Sequence, residues 1–292
     1  MKEGAMKFRG KYLFVLVPLL AFGCIGPEDI KNLTASTDVD ERFEESIDGK
    51  TKRLSLPESD DDQFVFLWVT DMHVRTGRTY FRELGEYAHK VGARFILHSG
   101  DLADHGDEEE YEYINAEIEQ YLSPYDIYFI SAIGNHDLSG DGWDAYKEHI
   151  GPSVFYFNYG NTFFIFIDTA NATVGRDQME WIEEQLADSD QPNKILLSHF
   201  PFYDGTLETP TIMGDPDERY KLMYLIEEYD VDYVLTGHKH SIERHEIGDA
   251  VYLCGGTASH TVDPINGDDL LYEFTISGND IDYDKVDLDD ID

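Results

Sequence analysis

Five short segments carry the side chains best suited to chemistry: Asp71-Met72-His73, Gly100-Asp101, Gly134-Asn135-His136-Asp137, His199 and Gly237-His238-Lys239-His240. Their carboxylates, imidazoles and amide oxygen suit borderline ions such as Mn, Fe and Zn in divalent or trivalent states. No thiolate stands among them, which argues against a cysteine-rich structural zinc site. Two ions about 3.5–4 Å apart hold an attacking hydroxide and clamp both oxygens of an in-line displacement at phosphorus. Roughly seven protein ligands serve such a pair when one carboxylate bridges. The segments supply Asp71, His73, Asp101, Asn135, His199, His238 and His240, and leave His136 over for proton transfer. Two dications bring four positive charges, of which two aspartates and a hydroxide remove three. The net positive centre that remains attracts a phosphoryl group. Each segment alone has a bland reading, as a polar turn or a satisfied histidine. Their order and shared setting carry the argument.

That setting is the end of a strand. Phe64–Val69, Phe95–Leu97, Ile127–Ile130, Ile195–Leu197 and Tyr233–Leu235 are short, apolar and rich in β-branched and aromatic residues, and a polar segment follows each within a few residues. In open α/β sheets ligands bind beyond the carboxyl ends of the strands, so the five segments converge on one face. Residues 77–91, 108–121, 176–188 and 216–229 show helical apolar spacing. Asp215-Pro216 starts the last of these as N-cap and first helical residue. Met179, Ile182 and Leu186 recur every three to four residues and should cover one sheet face. Further strand-like runs are Phe163–Ile167, Val251–Cys254 and Leu270–Ile276. The remaining histidines have ordinary explanations. His98 lies within a strand as a core or supporting residue, His89 and His149 sit on solvated helices, and His105, His245 and His260 belong to loops. Asp168 has no partner motif and reads as structural. The loop from Phe202 to Gly214, with Tyr203, Asp204 and Met213, follows His199 and is a candidate for shaping a pocket.

The rest of the chain suggests one catalytic domain, residues 63–292, behind a leader. Residues 1–24 pair a basic start (Lys2, Lys7, Arg9, Lys11) with an apolar stretch too short for a membrane span, as in an export signal. Gly23-Cys24 resembles a lipoprotein cleavage site, although Ala21 stands where leucine is usual. A lipid on Cys24 would anchor an exported protein to a membrane surface. Residues 25–62 are polar, carry the run Ser59-Asp60-Asp61-Asp62, and read as a flexible acidic linker. Cys254 then has no partner and reads as a buried, inert thiol. Asn32-Leu33-Thr34 and Asn171-Ala172-Thr173 match glycosylation acceptors. Sixty acidic residues against 22 basic ones give a formal net charge of −38. Such a surface repels nucleic acid, whose binding depends on basic contacts that release counterions. A small phosphoester can still be drawn in by local ionic charge, because the distant field is screened beyond about 8 Å at physiological salt.

The ordered pattern D-x-H, G-D, G-N-H-D, H and G-H-x-H resembles the calcineurin-like metallophosphoesterase superfamily across about residues 63–275. Gly100-Asp101-Leu102-Ala103-Asp104 with Glu109, Glu110 and Tyr111 resembles its branch of class III cyclic-nucleotide phosphodiesterases. Asp104 stands where purple acid phosphatases carry an iron-binding tyrosine, a departure from that group. The resemblance implies an α/β fold, a four-layer αββα sandwich of two mixed β-sheets flanked by helices. It implies that Asp71, His73 and His240 hold one ion, that Asn135, His199 and His238 hold the other, and that Asp101 bridges. His136 would protonate the leaving alkoxide, with Asp137 orienting its ring. The function expected is hydrolysis of small extracytoplasmic phosphate mono- or diesters. The alternative is a non-catalytic metal-binding surface lipoprotein that retains the fold.

Overall fold

Alternation along the central strands sorts their side chains into two opposite cores, and this decides the architecture. The computed structural model describes residues 38–75, 77, 79–205, 211–260, 262, 265 and 267–291. The leader at 1–24, Cys24 with its expected lipid, and the Asn32 acceptor lie outside the described residues. In chain order the elements are α1 (Val39–Ile47), β1 (Gln63–Val69), α2 (Phe81–Val91), β2 (Phe95–His98), α3 (Glu108–Tyr121), β3 (Tyr128–Ser131), α4 (Gly142–His149), β4 (Phe155–Tyr159), β5 (Thr162–Phe166), α5 (Arg176–Asp188), β6 (Asn193–Leu197), α6 (Pro216–Glu228), β7 (Tyr233–Thr236), β8 (Ile242–Ile247), β9 (Ala250–Gly255), β10 (Leu270–Ser277) and β11 (Asp280–Asp287).

Two mixed sheets result, with strand orders β11-β10-β1-β2-β3 and β4-β5-β6-β7-β9-β8. Strands β1, β2 and β3 run parallel, as do β5, β6, β7 and β9, while the outer strands pair antiparallel. Phe66 and Trp68 of β1, with Phe95 and Leu97 of β2, point inward onto Phe164, Phe166, Ile195, Leu197 and Leu235 of the second sheet. The intervening Leu67, Val69 and Ile96 point outward onto Leu84, Ala88, Tyr111 and Tyr146 of the first helical layer. On the far side, Ile165, Leu196 and Val234 meet Met179, Ile182, Leu186, Leu222 and Leu225. A strand buried on both faces must read as a continuous apolar run, and the result is the expected αββα sandwich. Aromatic rings fill the inter-sheet layer: Phe66 stacks on Phe274 at 4.8 Å and on Phe95 at 5.4 Å, and meets Phe164 edge-on at 5.3 Å.

The stretch 25–62 is not tether throughout. From Asp38 the chain forms α1, whose N-cap Asp38 accepts from Glu41 N at 2.9 Å. Arg42 and Ser46 of α1 are buried against the domain. The folded body therefore begins well before residue 63, the boundary expected from composition. The reason is that α1 docks partly through polar groups, and its short apolar stripe of Val39, Phe43 and Ile47 stands in an acidic, polar stretch.

Candidate metal centre and active site

The ligand segments leave the strand ends in unusual backbone conformations. Asp71, His73, Asp101, His238 and His240 have φ between 44° and 69°. They make up five of the eight non-glycine residues with positive φ among the described residues. Each such residue costs on the order of 1–3 kcal/mol and persists only where its surroundings enforce it. The neighbouring glycines permit the close approach. A Cβ on Gly100 would lie 2.7 Å from His199 Nδ1, and one on Gly237 would lie 2.1 Å from Thr70 Oγ1 and 2.2 Å from Asp71 Oδ2. Cys254 is buried beneath this turn, its thiol donating to the Gly237 carbonyl at 3.3 Å, and burial pushes its pKa up to about 12.

All seven expected ligands come together, as two clusters that share one carboxylate. Asp71, His73, Asp101 and His240 form the first, and Asp101, His199 and His238 form the second, with the Asn135 amide oxygen beside it. In the first, His73 Nε2 lies 3.2 Å from His240 Nε2, which lies 3.3 Å from Asp71 Oδ1. In the second, Asn135 Oδ1 lies 3.0 Å from His199 Nε2 and 2.9 Å from His238 Nδ1, and Asp101 Oδ2 lies 3.2 Å from His199 Nε2. Asp101 Oδ2 is also 3.8 Å from His73 Nε2, so it stands between the two groups.

These contacts require a cation. His199 Nδ1 lies 2.9 Å from the Ser99 carbonyl oxygen, which can only accept, so Nδ1 carries the ring's proton. In the neutral ring Nε2 is then a lone pair aimed at two more acceptors, Asn135 Oδ1 and Asp101 Oδ2. Donors about 2.1 Å from one ion lie roughly 3.0 Å apart at right angles and 3.4 Å apart at the tetrahedral angle. The separations of 2.9–3.3 Å match that range, His73 Nε2 standing farther, at 3.8–3.9 Å, from the two aspartate oxygens, and the donor set fits a pair of metal ions.

Protonation tells the same story. Burial works against charge on His199, but Asp101 and Asp71 outweigh it and push its pKa up to about 9. Burial opposes ionisation of Asp101, yet the histidines, His199 foremost, hold it well below the usual carboxylate range. Burial depresses His238 to about 3 and lowers His73. With no ion present, a proton on His199 fills the cationic role.

His136 is half-buried beside the first cluster, its ring centroid 4.5 Å from that of His73. Its Nδ1 lies 2.8 Å from the Asp104 carbonyl oxygen and so carries a proton, so any proton the ring exchanges with a substrate passes through Nε2. Its backbone N–H donates to Asp101 Oδ1 at 2.8 Å. Asp137 has a different role from the one expected. Its carboxylate accepts from the backbone N–H groups of Leu102, Ala103 and Gly134 and from the Tyr111 hydroxyl. Those four bonds fill its acceptor sites. Asp137 therefore fastens the Asp101 and Asn135 loops together, and the Asp104 carbonyl orients the His136 ring. Burial and the nearby Asp101 charge raise the Asp137 pKa to about 6, against the pull of its backbone donors.

Several supporting residues carry no motif of their own. Asp104 Oδ1 faces His73 Nδ1 at 3.4 Å, and its carboxylate also pairs with Arg75 and, at 3.0 Å, with His105. Thr169 Oγ1 accepts from His199 N at 3.2 Å and Phe200 N at 2.9 Å. His98 is buried and its Nδ1 accepts from Gly100 N at 3.3 Å. His149 pairs with Glu108, His89 stacks on Tyr125, His245 meets Glu243, and His260 stacks on Tyr80. In the loop after His199, Phe202 and Met213 are core residues of the second helical layer. Asp204 instead ties that loop to Lys239, between the two histidines of the last segment, at 3.2 Å.

A doubled donor set at the strand ends of an αββα sandwich is a candidate dinuclear centre on a metallophosphoesterase fold. The chain belongs to the calcineurin-like phosphoesterase family, whose model matches residues 64–241. It is similar to a Fibrobacter succinogenes protein named "Probable cyclic nucleotide phosphodiesterase", at 25% identity over 180 residues, 58% of this chain and 66% of that one. It is also similar to the cAMP/cGMP dual specificity phosphodiesterase of Mycobacterium tuberculosis, at 24% identity over 209 residues, 64% of this chain and 65% of that one. The matched region is thus just under two thirds of the length of these relatives. Among solved structures, purple acid phosphatase PPD1 from yellow lupin superposes with a TM-score of 0.61 at 17% identity, covering 81% of this chain and 53% of that one. GAP50 of Plasmodium superposes with a TM-score of 0.59 at 16% identity, covering 80% and 87%. Both share the fold.

Proposed function

We propose that this protein hydrolyses small phosphate mono- or diesters outside the cytoplasm, with two metal ions at the seven-ligand centre and His136 as general acid. The observation that carries the reading is the pair of donor clusters joined at Asp101, with the His136 ring at their edge and its Nδ1 fixed on the Asp104 carbonyl. When bound, the two ions would supply positive charge for the phosphoryl oxygens and a nucleophile at neutral pH. Asp71, His73 and His240 would hold one, Asn135, His199 and His238 would hold the other, and Asp101 would serve both. His136 in its protonated form donates from Nε2 to the departing alkoxide, while Nδ1–H stays on the Asp104 carbonyl. A cleft of about 720 Å³ opens beside His136, lined by Arg75, Asp104, His105, Asp141 and Glu148 among others. It has room for the alcohol half of a small ester. The relatives' names support placing cyclic nucleotides, cAMP and cGMP among them, with the substrates to assay. Export and lipid attachment at Cys24 rest on the leader sequence alone.

The test is a side-by-side assay of aryl phosphate, bis-aryl phosphate, cyclic nucleotides and nucleotides after loading with Mn, Fe or Zn. Turnover of at least one class is expected. No turnover with any metal would sink the reading. His136→Ala should lose about 10²–10⁴-fold in kcat, most for esters with poor leaving groups. Equal losses across leaving groups would contradict the acid role.

A further inference from the structure

Helix α1 lies outside the region that the family model matches, and its buried face leads toward the metal centre. Arg42 is completely buried, as is its partner Asp168. Nε donates to Oδ2 at 2.7 Å and one terminal nitrogen donates to Oδ1 at 3.0 Å. An arginine fork on a carboxylate fixes orientation as well as charge. The Asp168 backbone is held from the other side. Its N–H donates to Gln178 Oε1 at 2.7 Å, and its carbonyl accepts from Gln178 Nε2 at 3.0 Å. The next residue is Thr169, whose hydroxyl oxygen receives the backbone N–H groups of His199 and Phe200. A fully buried chain of contacts therefore runs Arg42, Asp168, Thr169, His199.

The same helix grips both halves of the sandwich. Phe43 meets Trp181 of α5 edge-on at 6.2 Å, on the second-sheet side. Glu45 accepts from Trp143 Nε1 at 2.8 Å and from Lys147 Nζ at 3.0 Å, both on α4, on the first-sheet side. Ser46 Oγ accepts from Ser153 N at 3.1 Å. The donor clusters draw residues from both sheets, so a helix that spans them bears on the spacing of the donors.

We propose that Arg42 is a positioning residue. Through Asp168 and Thr169 it sets the strand end that presents His199, and so tunes the affinity of the ion held by Asn135, His199 and His238. This inference rests on the two-metal reading above. A helix that only added stability would weaken both ions alike or neither.

The experiment is a Co²⁺ titration of the full chain, followed by absorption, for unaltered protein and for Arg42→Met, Arg42→Lys and Phe43→Ala. A His199→Ala reference identifies the first ion, whose set Asp71, His73, Asp101 and His240 it leaves intact. Two ions are expected in the unaltered protein. Arg42→Met should weaken the second ion by about 10–100-fold, the range for lost outer contacts to a ligand, and change the first by less than about threefold. Arg42→Lys should recover part of the loss. Phe43→Ala, which loosens the helix without touching Asp168, should leave the ratio of the two affinities unchanged. If Arg42→Met does not fold, Arg42→Lys is read the same way, with a selective loss at the second ion expected. Fewer than two ions in the unaltered protein overturns this inference together with the two-metal reading. Two ions there, with equal or no loss in the Arg42 variants, or the same selective loss in Phe43→Ala, overturns the positioning role alone.

Discussion

The two donor clusters are supported by contact chains of different character. Behind His199 the chain runs through Thr169 and Asp168 to Arg42, with every side chain buried. Behind His73 it runs through Asp104 to Arg75, whose side chain is 54% exposed. His240, in the same first set, is itself 23% exposed. His238 of the second set is likewise half-buried, so the contrast lies behind the ligands: solvent reaches Arg75 behind His73 and is kept from Asp168 and Arg42 behind His199. A solvent-exposed pair contributes modestly and is screened, whereas breaking a buried pair leaves an uncompensated charge. The same kind of support is thus built once from buried groups and once with an exposed arginine at its end. Asp101 is the side chain common to both.

Removing the shared group should do the most damage. Asp101→Asn deletes the charge common to both clusters, so neither ion should bind well and kcat/KM should fall by on the order of 10³-fold or more. Metal content by atomic absorption checks this, and retention of two ions would break the comparison at its centre. Asp104→Asn should weaken the first ion by about 10–100-fold, while Thr169→Val should weaken the second by about tenfold. Opposite selectivity in paired metal titrations would reverse the assignment.

Protons provide a gentler probe. Below about pH 9 the metal-free protein keeps a proton on His199 that the second ion must displace. Its affinity should therefore rise about tenfold per pH unit from neutrality and level off as that pKa is passed. A flat profile in buffered titrations would show that His199 is not the competing base. Tyr111→Phe should have the smallest effect, since it removes one of four donors to Asp137. A loss of about 1–2 kcal/mol in denaturant unfolding is expected, with metal selectivity unchanged.

The strands and the ligands that follow them were readable because each strand is buried on both faces and must be apolar throughout, with polarity returning at its end. Helix α1 was hidden for the converse reason. Its apolar positions Val39, Phe43 and Ile47 recur every four residues, but the stripe is short and set among acids, and Arg42 and Ser46 beside it are buried polar groups. A second local signal is Asp38 three residues before Glu41, a capping pattern. Asp137 was misassigned because it adjoins His136 in sequence. Consecutive residues in a tight helical turn do not face each other. Its side chain turns inward to the backbone donors while the His136 ring meets a carbonyl. The partnership of Arg42 with Asp168 links positions 126 residues apart, and no local pattern announces it.

The most direct test of the central claim is anomalous diffraction from crystals loaded with Mn²⁺. The account predicts two peaks about 3.5–4 Å apart, one on either side of the Asp101 carboxylate. A single peak, or two peaks with Asp101 touching only one of them, would contradict it.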